Sequence, residues 1–85
     1  MRTFSYKIKD SVGIHARPAG MLVKEAKKYN STITIECNGR SVNLTKLMML
    51  MSMGIKCGET VNITVSGDDE NVAADEIEKF FIENL

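Results

Sequence analysis

The hydrophobic period of this chain switches back and forth between two and about 3.6 residues, which commits it to alternating strands and helices in one short sequence. Residues 2–9 alternate, with Phe4, Tyr6 and Ile8 on one side and Thr3, Ser5, Lys7 and Lys9 on the other. That pattern predicts a half-buried strand. Residues 16–28 change period: Ala19, Leu22, Val23 and Ala26 fall on one helical face, and Tyr29-Asn30-Ser31 closes the helix. Ile33, Ile35 and Cys37 restore the alternation over 32–37. Asn38-Gly39 then marks a two-residue hairpin, because both central positions of a type I′ turn need positive φ. The returning strand, 40–44, brings Val42 and Leu44. A short apolar segment follows at 46–53, then an alternating strand at 60–66 with Val61, Ile63 and Val65. A last helix starts near Asp68-Asp69, where acids suit the positive end of the dipole. Ala73, Ile77, Phe80, Phe81 and Leu85 form its apolar stripe. The order is β-α-β-β-α-β-α, an α+β chain. One sheet with helices on one face buries a single side of every strand.

At 85 residues this is one domain, 1–85, too small to enclose a deep cavity. With 44% hydrophobic and 26% charged residues it reads as globular, not disordered. No apolar run approaches the roughly 20 residues that span a membrane. The opening MRTFSYKIKD has no leader-like apolar stretch, so the cytosol is the expected compartment. Cys37 and Cys57 are expected to be free structural thiols, and neither they nor the single His suggest a metal site. Net charge is zero but unevenly spread. Residues 1–57 hold ten Lys/Arg against three Asp/Glu, and residues 58–85 hold one against eight. A basic half of this kind can meet an acidic partner surface, though charge alone fits better two halves that each solvate their own surface. Neither net charge nor aromatic pattern fits a nucleic-acid-stacking platform.

Chemistry concentrates in Gly13-Ile14-His15-Ala16-Arg17-Pro18, where the first loop enters the first helix. Pro18 suits a first helical turn. His15 then falls at or beside the N-cap. Free first-turn N–H groups there favour an anion on its ring. Imidazole is nucleophilic and largely neutral near pH 7. Arg17 supplies a planar cation that matches phosphate oxygens. No second acid–base residue near His15 in sequence, metal set or phosphate-cradling glycine loop suggests an independent enzyme.

The segment Gly13-Ile14-His15-Ala16-Arg17-Pro18-Ala19 resembles the phosphohistidine signature of the HPr family, the histidine-containing phosphocarriers of the bacterial sugar phosphotransferase system. The resemblance extends through length, element order, Val42-Asn43-Leu44, Met48, Met51-Ser52 and Gly54-Ile55. It implies an open-faced β-sandwich: a four-stranded antiparallel sheet with three helices on one face. It implies a carrier, not an enzyme, in which Nδ1 of His15 takes a phosphoryl group from enzyme I and gives it to sugar-specific IIA proteins. Ala16, Arg17 and Pro18 would lie against the phosphate, and Arg17 would steady it during transfer. No cofactor or metal is implied on the carrier, and a monomer is the expected state.

Lys46-Leu47-Met48-Met49-Leu50-Met51-Ser52-Met53 is apolar around nearly its whole circumference. A two-turn helix on a sheet can bury only one side, so some of Leu47, Met48, Met49 and Met51 must face water. Such patches usually mark contacts, and methionines adapt to several partners. The resemblance implies docking through Leu47, Met48 and Met51, with Gly20, Lys24, Lys27 and Lys46 nearby. Lys46 is a departure. In Gram-positive members a regulatory serine opens this helix, and here the nearest hydroxyls are Thr45 and Ser52. Control by serine phosphorylation is therefore not expected. The departure also leaves room for an alternative, a paralogous carrier in a nitrogen-regulatory or operon-specific relay. Val12 stands where a small polar residue is common in the family.

Overall fold

The computed structural model describes residues 1–85 as seven elements: β1 (Arg2–Lys7), α1 (Ala16–Ala26), β2 (Thr32–Cys37), β3 (Arg40–Asn43), α2 (Leu47–Ser52), β4 (Thr60–Ser66) and α3 (Glu70–Asn84). The strands form one antiparallel sheet in the order β1-β4-β2-β3. That order does not follow from the local pattern, because it inserts the late strand β4 between β1 and β2.

The register turns alternation into two chemically distinct faces. Phe4, Ile63, Ile35 and Val42 lie in one row across all four strands. Ile63, Ile35 and Val42 are buried under the helices, and Phe4 is half-buried. One residue along, Ser5, Asn62, Glu36 and Ser41 form the matching row on the open face. There the Ser5 hydroxyl donates to Asn62 Oδ1 at 2.6 Å, and the Asn62 amide donates to Glu36 Oε1 at 2.8 Å.

The helices cover the apolar face. Ala19, Leu22, Val23 and Ala26 of α1 are all buried, as their spacing predicts. On α3 the buried residues are Ala73, Ala74, Ile77 and Phe81, with Leu85 just beyond the helix; Phe80 is only half-buried. The stripe is thus centred on Ala74 and Ile77, and Phe80 lines the two hollows between α1 and α3. Phe81 takes Phe4 and Tyr6 on its ring, with centroids 6.1 and 5.5 Å away.

Element ends differ from the periodicity in a consistent way. β1 stops at Lys7, α1 at Ala26 and β3 at Asn43, each one or two residues early. Ile8 and Leu44 are nevertheless buried, since apolar side chains go on packing after the ladder or helix bonds end. The hairpin turn has Asn38 at φ 55° and Gly39 at φ 79°, both positive as expected. Both cysteines are free, but only Cys37 belongs to the core; Cys57 is exposed. Burial, with Glu59 and Glu36 nearby, pushes the Cys37 thiol pKa up.

Candidate functional site

The loop between β1 and α1 has no regular structure, yet its backbone is tied down. Ile8 N–H donates to Glu59 O at 2.9 Å, and Lys9 and Asp10 N–H both donate to Leu85 O at 2.6 and 2.8 Å. Gly13 N–H closes a turn on Asp10 O at 2.9 Å, and Val12 N–H donates to Asp10 Oδ1 at 2.9 Å. Gly13 has φ 77° and is pressed against the chain after α2. Ile14, buried beside it, donates its N–H to Ile55 O at 3.0 Å. The approach to His15 is thereby pinned to α3's end and to the segment following α2.

His15 is the N-cap of α1, with extended φ −97° and ψ −179°. Its carbonyl accepts the Ala19 N–H at 2.9 Å, while its side chain makes no capping bond and is 41% exposed. The ring is thus placed by the backbone and left free to react. The N–H groups of Ala16 and Arg17 have no backbone acceptor, as first-turn donors do not. Ala16 and Arg17, which follow His15 directly in the first turn of α1, are exposed. Pro18 is buried and has no N–H. It can contribute by fixing the first turn, but it has no hydrogen bond to offer a phosphate.

One neighbour of the ring was not singled out by sequence. The Asp10 carboxylate Oδ2 lies 3.8 Å from His15 Nε2. Five positions of irregular chain separate the two residues, so no helical or strand spacing relates them; only the turn closed by Gly13 does. Sequence offers no acid–base partner among His15's immediate chain neighbours, and this contact brings one from five positions away.

The apolar surface on α2 is distributed as its short length requires. Leu50 is buried, while Leu47, Met48, Met49 and Met51 are exposed, Met48 to 78%. Lys46 is the N-cap of α2 and makes no side-chain cap. Lys24 and Lys27 are exposed on α1, which packs against α2. Gly20 is half-buried, and a Cβ there would meet nothing within 4 Å. The basic and methionine-rich surfaces therefore belong to adjacent helices. A further exposed methionine, Met21 on α1, escaped the sequence reading. Met21 could have been found, because it falls off the stripe of Ala19, Leu22, Val23 and Ala26. Thr45 is half-buried, and its N–H and hydroxyl both donate to Asn43 Oδ1, at 2.9 and 2.7 Å. Ser52 Oγ donates to Met49 O at 2.7 Å and accepts from Arg40 at 2.8 Å.

No enclosed cavity surrounds His15. The two hollows of the surface are lined by α1 and α3, one by Met21, Lys24, Glu25, Lys28, Phe80 and Asn84, and neither includes the histidine. No helix is long and apolar enough to cross a membrane. An imidazole on an open surface, followed in the chain by two first-turn N–H donors without acceptors, is accessible to a second protein.

The family model for the PTS HPr component phosphorylation site matches residues 2–83. Phosphocarrier protein HPr of Mycoplasma capricolum is 43% identical over 83 residues, which cover 98% of this chain and 93% of that protein. The solved structure of a Mycoplasma histidine-containing phosphocarrier protein matches with a TM-score of 0.93 at 43% identity, over 96% of this chain and 93% of that one. A phosphocarrier protein HPr from Bacillus anthracis matches with a TM-score of 0.88 at 30% identity, over 94% and 95%. By sequence over nearly its full length and by fold, the chain belongs to the HPr family of the phosphotransferase system, whose members are phosphocarrier proteins and not enzymes.

Proposed function

We propose that this protein accepts a phosphoryl group on His15 from phosphorylated enzyme I and donates it to sugar-specific IIA proteins. The observation that carries this reading is His15 at the N-cap of α1, uncapped by its own side chain, beside the unpaired N–H groups of Ala16 and Arg17. An incoming phosphoryl oxygen can take those donors and the Arg17 guanidinium together. Leu47, Met48 and Met51 form the apolar centre of the docking surface, and Lys24, Lys27 and Lys46 its basic rim. Apolar contacts there hold the partner, while the rim steers acidic surfaces toward the histidine. The carrier works in the cytosol.

The test is transfer of labelled phosphate from phosphoenolpyruvate, through purified enzyme I, to wild type and to His15→Ala. Acid-labile, base-stable label on wild type alone is expected, and absence of label on wild type rules out this donor. Lys46 at the start of α2, with the Thr45 hydroxyl engaged by Asn43, supports a carrier outside serine-based control. In the same series, HPr kinase and ATP are expected to add no stoichiometric Ser or Thr phosphate.

A further inference from the structure

We infer that Asp10 is a positioning residue for phosphoryl transfer: its carboxylate orients the His15 ring through Nε2 and leaves Nδ1 as the nucleophile. The inference rests on the reading of His15 as the phosphoryl acceptor.

The geometry divides the labour of the carboxylate. Oδ1 accepts the Val12 N–H at 2.9 Å, and Oδ2 faces His15 Nε2 at 3.8 Å. The residue's own backbone is held twice, since its N–H donates to Leu85 O at 2.8 Å and its carbonyl accepts the Gly13 N–H at 2.9 Å. The group aimed at the ring is thus itself fixed at three atoms. At 3.8 Å the contact is longer than a formed hydrogen bond. Contacts of this kind commonly shorten when the reacting complex assembles. The ring backbone is equally constrained, because His15 is the N-cap of α1 and Ile14 is anchored on Ile55.

A carboxylate accepts but does not donate, so it favours the tautomer with hydrogen on the nitrogen it faces. Here that places the proton on Nε2 and the lone pair on Nδ1. In the transfer step the Nδ1 lone pair attacks the donor's phosphorus. The Nδ1–P bond forms, the bond from phosphorus to the donor atom breaks, and the donor atom keeps that electron pair. Nε2 retains its proton throughout, so the ring gains positive charge as the bond forms. A carboxylate already beside Nε2 offsets that charge as it develops, the role a carboxylate plays behind a catalytic histidine. Return of the phosphoryl group to the next protein reverses the charge change, and the same contact then holds the ring for another cycle.

The discriminating variant is Asp10→Asn. It keeps an oxygen for the Val12 N–H and so preserves the turn, but presents no carboxylate to the ring. Two readouts are needed. The first is the His15 tautomer ratio in the unphosphorylated protein, from ring-nitrogen NMR at a pH where imidazole is neutral. The second is the single-turnover rate of phosphoryl transfer from phosphorylated enzyme I. The expected result is a fall in the Nε2–H fraction together with a rate loss of about fivefold, as suits a partly exposed charge pair. The loss should shrink with added salt. Asp10→Glu is expected to recover part of both readouts. An unchanged tautomer ratio in Asp10→Asn, or an unchanged Asp10→Asn transfer rate where wild type does take label, overturns the assignment. If wild type takes no label, the carrier reading has failed instead, and the tautomer ratio alone decides the role of Asp10.

Discussion

Gly13 carries more of the site than its size suggests. Its φ of 77° is open to glycine, and a Cβ built there would lie 2.3 Å from Ile55 O, a distance no side chain tolerates. The glycine lets the loop lie flat against the chain after α2, so that Ile14 can bond Ile55 and His15 can begin the helix. Gly13→Ala is expected to cost about 1–3 kcal/mol in urea unfolding, the range for strain at a special backbone position. It should also slow phosphoryl acceptance, because the anchor it disturbs lies two residues from His15. A variant with unchanged unfolding midpoint would show that the loop is not held here. Asp69 is another residue whose role lies outside its own element. It sits at the start of α3, but its carboxylate takes the Ser31 hydroxyl and the Asn30 N–H at 2.8 Å, joining α3 to the entrance of β2. Those bonds, the Ser31 hydroxyl first, hold its pKa below the ordinary 3.8. A depressed carboxylate stabilises the fold fully above its unfolded value, and that contribution is lost as pH falls through the folded one. Asp69→Asn should therefore melt below wild type at neutral pH. The gap should narrow below about pH 4 as the wild-type carboxylate protonates. A gap independent of pH down to about pH 2 would contradict the linkage.

The element that separates stability from function most cleanly is α2. Six residues make too short a helix to persist alone, so its place depends on packing. Leu50 supplies the buried contact, and Arg40 donates to Ser52 O at 3.2 Å and to Ser52 Oγ at the far end. Met48, by contrast, points out. Leu50→Ala is expected to cost about 2–5 kcal/mol by the usual cavity and transfer terms. Met48→Ala should leave stability within about 0.5 kcal/mol, as exposed substitutions do. Steady-state kinetics with enzyme I should then show a raised KM for the Met48 variant with little change in kcat, because only docking is touched. If Met48→Ala destabilised the fold as much as Leu50→Ala, the surface would have to be redrawn as core.

At the scale of the molecule, the reactive pole lies where three separate parts of the chain converge. The loop after β1 brings Asp10, Gly13 and His15, the segment after α2 brings Ile55, and the end of α3 brings Leu85. The sheet sets this convergence by placing β4 between β1 and β2, so that the start and end of the chain meet near one another. Lys24 is exposed on α1 and Lys46 at the head of α2, and the two helices pack against each other. The open face of the sheet, with its Ser5, Asn62 and Glu36 network, is polar and belongs to no part of this pole.

Sequence by itself determined the elements and singled out His15 as the candidate nucleophile. Alternation and helical spacing are local properties, and apolar residues such as Ile63, Leu22 and Ile77 went where their period sent them. The Gly-to-Pro segment around His15 is contiguous, so a loop, an N-cap and a neighbouring Arg could all be read from neighbours in the chain. The tertiary structure alone decided the strand order, the register that aligns Phe4 with Ile63 and Ile35, and the stop of β1 and β3 just before the buried Ile8 and Leu44. It also decided that Asp10 meets His15, since the turn that joins them is held by Leu85 and Ile55 from far along the chain. Contacts of that kind depend on which distant groups satisfy the loop's backbone, and no spacing between residues 10 and 15 encodes them.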